Sequence, residues 1–218
     1  MTSNNELVRA FIAIELPADI RSEMAKLQNK LRHQCNCPVK WVSSNNIHLT
    51  LAFLGEVALI TLENAKQSML QAVKGQTPFS LGIDQPGAFP NIERPSVIWI
   101  GLNGELYELK SLQAKLRQIL CRNGLQLEER EFCPHLTLAR THVAASYAEK
   151  QALGRVLRLT AAITQTNFGV KSISLIQSRL TPHGPLYNTL FAQNCASNTT
   201  FWKLRHNTTL PKTFVAKC

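Results

Sequence analysis

Two histidines, each two residues ahead of a threonine, have the types and spacing for acid–base chemistry: His48 and Thr50 in Ile47-His48-Leu49-Thr50-Leu51, and His135 and Thr137 in Pro134-His135-Leu136-Thr137-Leu138. Side chains on a strand alternate between faces, so as strands these segments put each His and its Thr on one face. Ile47, Leu49, Leu51 and Phe53 take the opposite face of the first strand, and Leu136 and Leu138 that of the second. The apolar faces are buried under helices, and each polar face presents an imidazole and a hydroxyl to whatever lies across from it. Side by side, the two strands line one groove. Imidazole, with an unperturbed pKa of about 6.5, gives or takes a proton near neutrality, so a facing pair can remove one proton and supply another in a single reaction.

Positioning that pair requires a repeated framework. The two histidines are 87 positions apart, and the same offset carries Phe11-Ile12-Ala13 onto Ile98-Trp99-Ile100 and the amphipathic stretch 17–33 onto 104–120. Strand, helix and His-strand therefore recur at constant spacing with no net gap, a duplication of architecture more than of sequence. Val8 to Glu15 reads as a buried strand with Phe11 and Ala13 on one face and Ile12 and Ile14 on the other. Pro17 suits the first helical position and Asp19 the first turn. Ile20, Met24, Leu27 and Leu31 then mark one stripe of a helix ending near His33, which is read as a helix-terminal residue. Val39 to Val42 is a short strand carrying Trp41, and the His48 strand closes at Gly55. A helix over 58–74, a strand over Phe79 to Ile83 and a loop over Gln85 to Pro95 follow. Phe89 in that loop is read as a packing residue first and a base-stacking one second. The second lobe opens with a strand over Val97 to Leu102, then a helix over 105–122 with Leu109, Leu112, Leu116, Ile119 and Leu120 inward, ended by Asn123-Gly124. After the His135 strand come a helix over 144–157 and three closing strands over 161–168, 171–181 and 186–191. His183 sits in the last hairpin turn.

Composition sets the class. A chain of 218 residues, 44% hydrophobic, without low-complexity tracts, is expected to form one two-lobed domain over 1–193. Residues 194–218 are expected to be a loosely ordered basic extension. No apolar run approaches the ~20 residues of a membrane span, and Phe11 to Ile14, followed by Glu15, is too short for an export signal, so a cytoplasmic location and no membrane partner are expected. The six cysteines form no second CxxC-type pair and read as reduced thiols. The net charge of +10 is uneven: residues 151–218 hold 8 Lys/Arg and no acid, against 16 Lys/Arg and 14 Asp/Glu in residues 1–150. Such a surface attracts polyanions, RNA among them.

Four segments together resemble the 2H phosphoesterases: 9–14 (Arg-Ala-Phe-Ile-Ala-Ile), 46–55 around His48, 94–99 (Arg-Pro-Ser-Val-Ile-Trp) and 132–140 around His135. The branch most similar is that of the bacterial RNA 2′,3′-cyclic phosphodiesterases, LigT-like proteins also described as 2′-5′ RNA ligases. The similarity runs from about residue 8 to residue 191. It implies an α+β, bilobal, pseudo-symmetric fold, two antiparallel sheets around a central cleft with helices outside. It also implies an enzyme that hydrolyses RNA 2′,3′-cyclic phosphate ends to 2′-phosphomonoesters without a metal or other cofactor. On this resemblance His48 protonates the leaving 3′ oxygen, His135 activates water, Thr50 and Thr137 hydrogen-bond the non-bridging oxygens, and Arg140 binds phosphate. Strand parity puts Arg140 on the face opposite His135, so it reaches the cleft only if the strand ends or bulges first. No protein partner is implied, and a monomer is the default. Three alternatives stay open: 2′-5′ ligation at the same site, an RNA-binding module without turnover, and a zinc site on the two histidines, for which no carboxylate or cysteine stands at a ligand-like spacing.

Overall fold

The structure is a computed structural model and describes residues 7–160, 166–182 and 184–195. His183, the 196–218 part of the expected extension and the first half of the strand expected over 161–168 lie outside the described residues. In chain order the elements are β1 (Leu7–Glu15), α1 (Ala18–Gln34), β2 (Val39–Trp41), a 3-10 turn (Ser44–Asn46), β3 (His48–Ala58), α2 (Leu59–Val73), β4 (Phe79–Phe89), β5 (Val97–Gly104), α3 (Leu106–Arg122), β6 (His135–Thr141), α4 (Tyr147–Leu159), β7 (Asn167–Val170), β8 (Ser172–Thr181) and β9 (Gly184–Asn194). The helical stripes fall where the 3.6-residue period puts them. Ile20, Met24, Leu27 and Leu31 of α1 and Leu109, Leu112, Leu116 and Leu120 of α3 are all buried, with Ile119 only partly so. Pro17 is the N-cap of α1, one position earlier than expected. No described helix is long and apolar enough to cross a membrane.

All strand pairings are antiparallel, in the order β7-β4-β5-β6-β3-β1-β8-β9, with β2 added to β6. The two His-bearing strands, β3 and β6, are neighbours at the middle of this order and meet at one residue pair, Leu49 with Leu136. The two expected sheets are thus the two wings of one curled sheet, β3-β1-β8-β9 and β7-β4-β5-β6, joined at a single bridge. Membership of the wings differs from a split at Val97. Strand β4 already belongs to the second wing, β2 pairs with β6, and the β8–β9 hairpin returns to β1. Hydrogen-bond partners far apart in the chain decide this, and local pattern carries no record of them.

Several strands are longer than expected, β9 over 184–194 against 186–191 and β5 to Gly104 among them, and two of the extensions have a local cause. Strand β3 continues through Gly55, at φ 75°, because β1 keeps pairing as far as Leu7 with Ala58. Strand β4 reaches Phe89 because residues 86–89 resume pairing with β5 beyond a register shift between Ile83 and Pro86. A proline is tolerated at such an irregularity, where its missing N–H breaks no ladder.

The pairing also corrects the repeat. In the first wing Ile12, Ala13, Ile14 and Glu15 lie opposite Ala52, Thr50, Leu49 and His48. In the second, Ile98, Trp99, Ile100 and Gly101 lie opposite Ala139, Thr137, Leu136 and His135. The His-strands correspond at an offset of 87, but β1 and β5 correspond at 86, so the second lobe holds one extra residue between strand and His-strand. Apolar runs such as 11–14 and 97–100 slide past one another by one place without losing their pattern, so only the hydrogen-bonded register resolves the gap. Both His-strands skip a residue in the same place, Leu51 in β3 and Leu138 in β6, and β3 skips a second, Leu54, farther along. Leu51 and Ala52, and likewise Leu138 and Ala139, are consecutive buried residues, as a bulge requires.

Candidate active site

Antiparallel pairing of Leu49 with Leu136 dictates the floor of the site. Continued one residue each way, the register sets His48 across from Thr137 and Thr50 across from His135, all on the face opposite the buried leucines. The four side chains, with Arg140, line one cleft of about 620 Å³. A second cavity of about 580 Å³ opens on the other side of Thr50, Phe53, His135, Thr137 and Arg140, which it shares.

Arg140 reaches the cleft by way of the bulge at Leu138. The extra residue reverses the alternation, so Ala139 stays in the core and Arg140 emerges beside Thr137. The matching bulge at Leu51 does the same to Phe53, which was expected on the core face. It is instead 38% exposed and lines the cleft, with the Arg9 guanidinium 4.7 Å from its ring centroid.

Both imidazoles are held alike. Nδ1 of His48 lies 2.8 Å from the carbonyl oxygen of Asn46, and Nδ1 of His135 lies 2.7 Å from that of Cys133. A carbonyl oxygen only accepts, so each Nδ1 carries the hydrogen and each Nε2 is left to the cleft. The Asn46 side chain donates in turn to the Pro185 carbonyl at 2.9 Å, tying the turn before His48 to β9. Each ring also has aromatic walls. Phe11 stacks on His48 at 4.5 Å, and Tyr187 meets it edge-on at 5.4 Å. Phe89 meets His135 edge-on at 5.0 Å, with Trp99 at 6.2 Å. The Trp99 indole lies over Gly87, where a Cβ would come within 2.2 Å of the ring, so the absence of a side chain there makes room for this wall. Phe89 packs against Trp99 and His135 and also lines the second cavity. His33 is exposed at the end of α1, its Nδ1 2.7 Å from the Asn29 carbonyl. Among the described residues no three His, Cys, Asp or Glu side chains group as metal ligands.

Burial pushes both imidazoles below their ordinary value of 6.5, and the two backbone carbonyls pull them partly back. Their remaining neighbours differ. Glu15 favours the proton on His48 while His135 opposes it, and Arg140 opposes the proton on His135. Burial likewise raises the Tyr187 phenol, with Arg140 and Arg9 acting against it. Because each folded imidazole binds its proton less readily than in the unfolded chain, the unfolded state takes up more protons as pH falls, and stability falls with it. Melting temperature at constant ionic strength is expected to drop as pH falls from about 7, the loss beginning near the unfolded value of 6.5 and continuing until the pH lies below the depressed folded values. Inorganic phosphate, whose charge offsets the imidazolium, should restore part of it. A melting temperature that rises on acidification would contradict burial as the dominant influence.

Phe11, Tyr187, Trp99 and Arg9 carry no role in the sequence reading. Local pattern puts Phe11 and Trp99 on strands, but their proximity to the histidines follows from cross-strand register. Tyr187 arrives through the β8–β9 hairpin, and no local signal points to it.

A curled antiparallel sheet that brings a His-x-Thr from each of two related strands to one cleft defines a two-histidine phosphoesterase. The chain belongs to the LigT-like phosphoesterase family, whose description matches it twice, over residues 14–99 and 100–187. An RNA 2′,3′-cyclic phosphodiesterase of Aeropyrum pernix is 34% identical over 175 residues, covering 80% of this chain and 96% of the relative. The Escherichia coli protein of the same name is 36% identical over 137 residues, covering 62% of this chain and 73% of the relative. A crystal structure of Escherichia coli LigT complexed with 3′-AMP superposes with a TM-score of 0.69 at 29% identity, covering 88% of this chain and all of that one.

Proposed function

We propose that this enzyme hydrolyses RNA ends bearing a 2′,3′-cyclic phosphate to 2′-phosphomonoesters, with His48 and His135 as its acid–base pair. The observation that carries the reading is the shared tethering of the two imidazoles, each held through Nδ1 by the carbonyl two residues earlier, with both Nε2 atoms left to one cleft. The names of the relatives and the 3′-AMP complex support the substrate class. A cyclic ester of this kind exists only where a 2′-hydroxyl is present, hence RNA.

Opening the ring in line needs water to attack phosphorus from one side while the 3′ oxygen leaves on the other. Neutral His135 takes a proton from water at Nε2 as the new P–O bond forms. Protonated His48 gives its Nε2 proton to the 3′ oxygen as that P–O bond breaks. The product is a 2′-phosphomonoester and a free 3′-hydroxyl, and solvent exchange returns both imidazoles to their starting states. Burial disfavours the charged form of both rings; among the smaller influences, Glu15 favours a proton on His48 and Arg140 disfavours one on His135, in the direction this division of labour needs. Thr50 and Thr137 donate to the non-bridging oxygens, and Arg140 offsets the charge that builds there. Binding alone would not need a matched acid and base, which argues against a module without turnover. The second cavity leaves room for a 5′-hydroxyl end, and in 2′-5′ ligation that hydroxyl takes the place of the attacking water while the 3′ oxygen leaves as before, using the same groups.

The test is incubation of the full chain with an oligonucleotide ending in a 2′,3′-cyclic phosphate, with and without EDTA, followed by identification of the phosphate position. A 2′-phosphate formed at equal rates in both is expected. A 3′-phosphate, or loss of activity on chelation, would overturn the mechanism.

A further inference from the structure

The two cavities that flank the reacting centre differ in how their cations are satisfied. In the cavity beside the 123–134 loop, Arg130 pairs with Glu128 at 3.2 Å, and Arg117 donates to the Glu128 carbonyl at 2.7 Å. Glu131 lines that cavity as well. The cleft on the His48 side is lined by Arg9, Arg32, Lys40 and Arg140 and by no acidic residue. Among the described residues Arg32, Lys40 and Arg140 make no ion pair. Moreover, Lys40 of β2 lies directly opposite Arg140 of β6 in the antiparallel ladder. Like charges in that relation repel and weaken the pairing, a cost that an anion between them relieves. Arg32 is held nearby, its guanidinium 5.1 Å from the Trp41 ring centroid. Arg9 on the facing wall is less available, because Glu56 stands opposite it.

We propose that Arg32 and Lys40, extending from Arg140, form a track for the phosphate on the 5′ side of the cyclic end, so that the preferred substrate is an RNA chain and not a lone nucleoside cyclic phosphate. The other cavity offsets Arg117, Arg130 and Arg140 with Glu128 and Glu131, whereas this cleft holds four cations and no carboxylate, so a polyanion is drawn more strongly along the Arg32–Lys40 side. This rests on the hydrolysis proposed above, and its test separates the two.

Two substrates are compared at one salt concentration: adenosine 2′,3′-cyclic phosphate, which has no further phosphate, and a triadenylate ending in the same cyclic group. The wild type is expected to show a kcat/KM roughly tenfold or more higher on the trinucleotide, and Lys40→Ala and Arg32→Ala each to reduce the ratio between substrates roughly fivefold. Lys40→Glu should reduce it further. Affinity for a 3′-phosphorylated triadenylate, read by fluorescence anisotropy, should lose about 0.7 of its log–log salt slope with each cation removed. A wild-type ratio near one, or variants that leave the ratio and the salt slope unchanged, would overturn the track. If the wild type turns over neither substrate, the hydrolytic reading fails by itself, and the anisotropy comparison still decides whether Lys40 and Arg32 hold the chain.

Discussion

His48→Ala and His135→Ala are each expected to lower kcat by about 10²–10⁴-fold while the fold is retained. Each imidazole moves one proton in the same transition state, and a loss of that size is about 3–5 kcal/mol of barrier. Both rings sit at strand ends against aromatic walls, so truncation removes a reacting group without opening the leucine layer beneath. Because the two act as a unit, the double variant should be little slower than the worse single one. The pH profile offers a second readout: the wild-type kcat/KM should fall with rising pH as His48 loses its proton, and His48→Ala should lose that limb. Single-turnover assays beside thermal melts check both points. Full activity in either variant with an unchanged melting temperature would rule out the acid–base pair.

Leu136→Ala is the substitution expected to disturb the fold and the chemistry together. Leu136 is fully buried and forms, with Leu49, the single backbone bridge between the wings. Truncating a buried leucine costs roughly 2–5 kcal/mol, a fall in melting temperature of roughly 5–15 °C for a chain of this size. It also loosens the one contact that sets His48 across from Thr137 and Thr50 across from His135. Leu112→Ala, equally buried on α3, is the control. Both variants should melt earlier, but below their melting temperatures only Leu136→Ala should show a depressed kcat. Equal kcat values in the two would mean that the bridge stabilises the sheet without positioning the histidines.

Local geometry made part of this protein legible from residue order alone. Alternation at two residues put His48 with Thr50 and His135 with Thr137 above buried leucines, and the 3.6-residue stripes of α1 and α3 marked the faces those helices bury. Both patterns are properties of a short segment and survive in one dimension. The remaining features depend on hydrogen-bond partners distant in the chain. The bulges at Leu51 and Leu138, which turn Phe53 and Arg140 into the cleft, exist because β1 and β5 skip a residue opposite them. The one-residue offset between the lobes, the return of β8 and β9 to the first wing, and the arrival of Tyr187 beside His48 have the same origin. A strand's own residues specify which of its faces is apolar, but register and bulges are chosen jointly with its neighbours, and in this site those choices decide which side chains meet the phosphate.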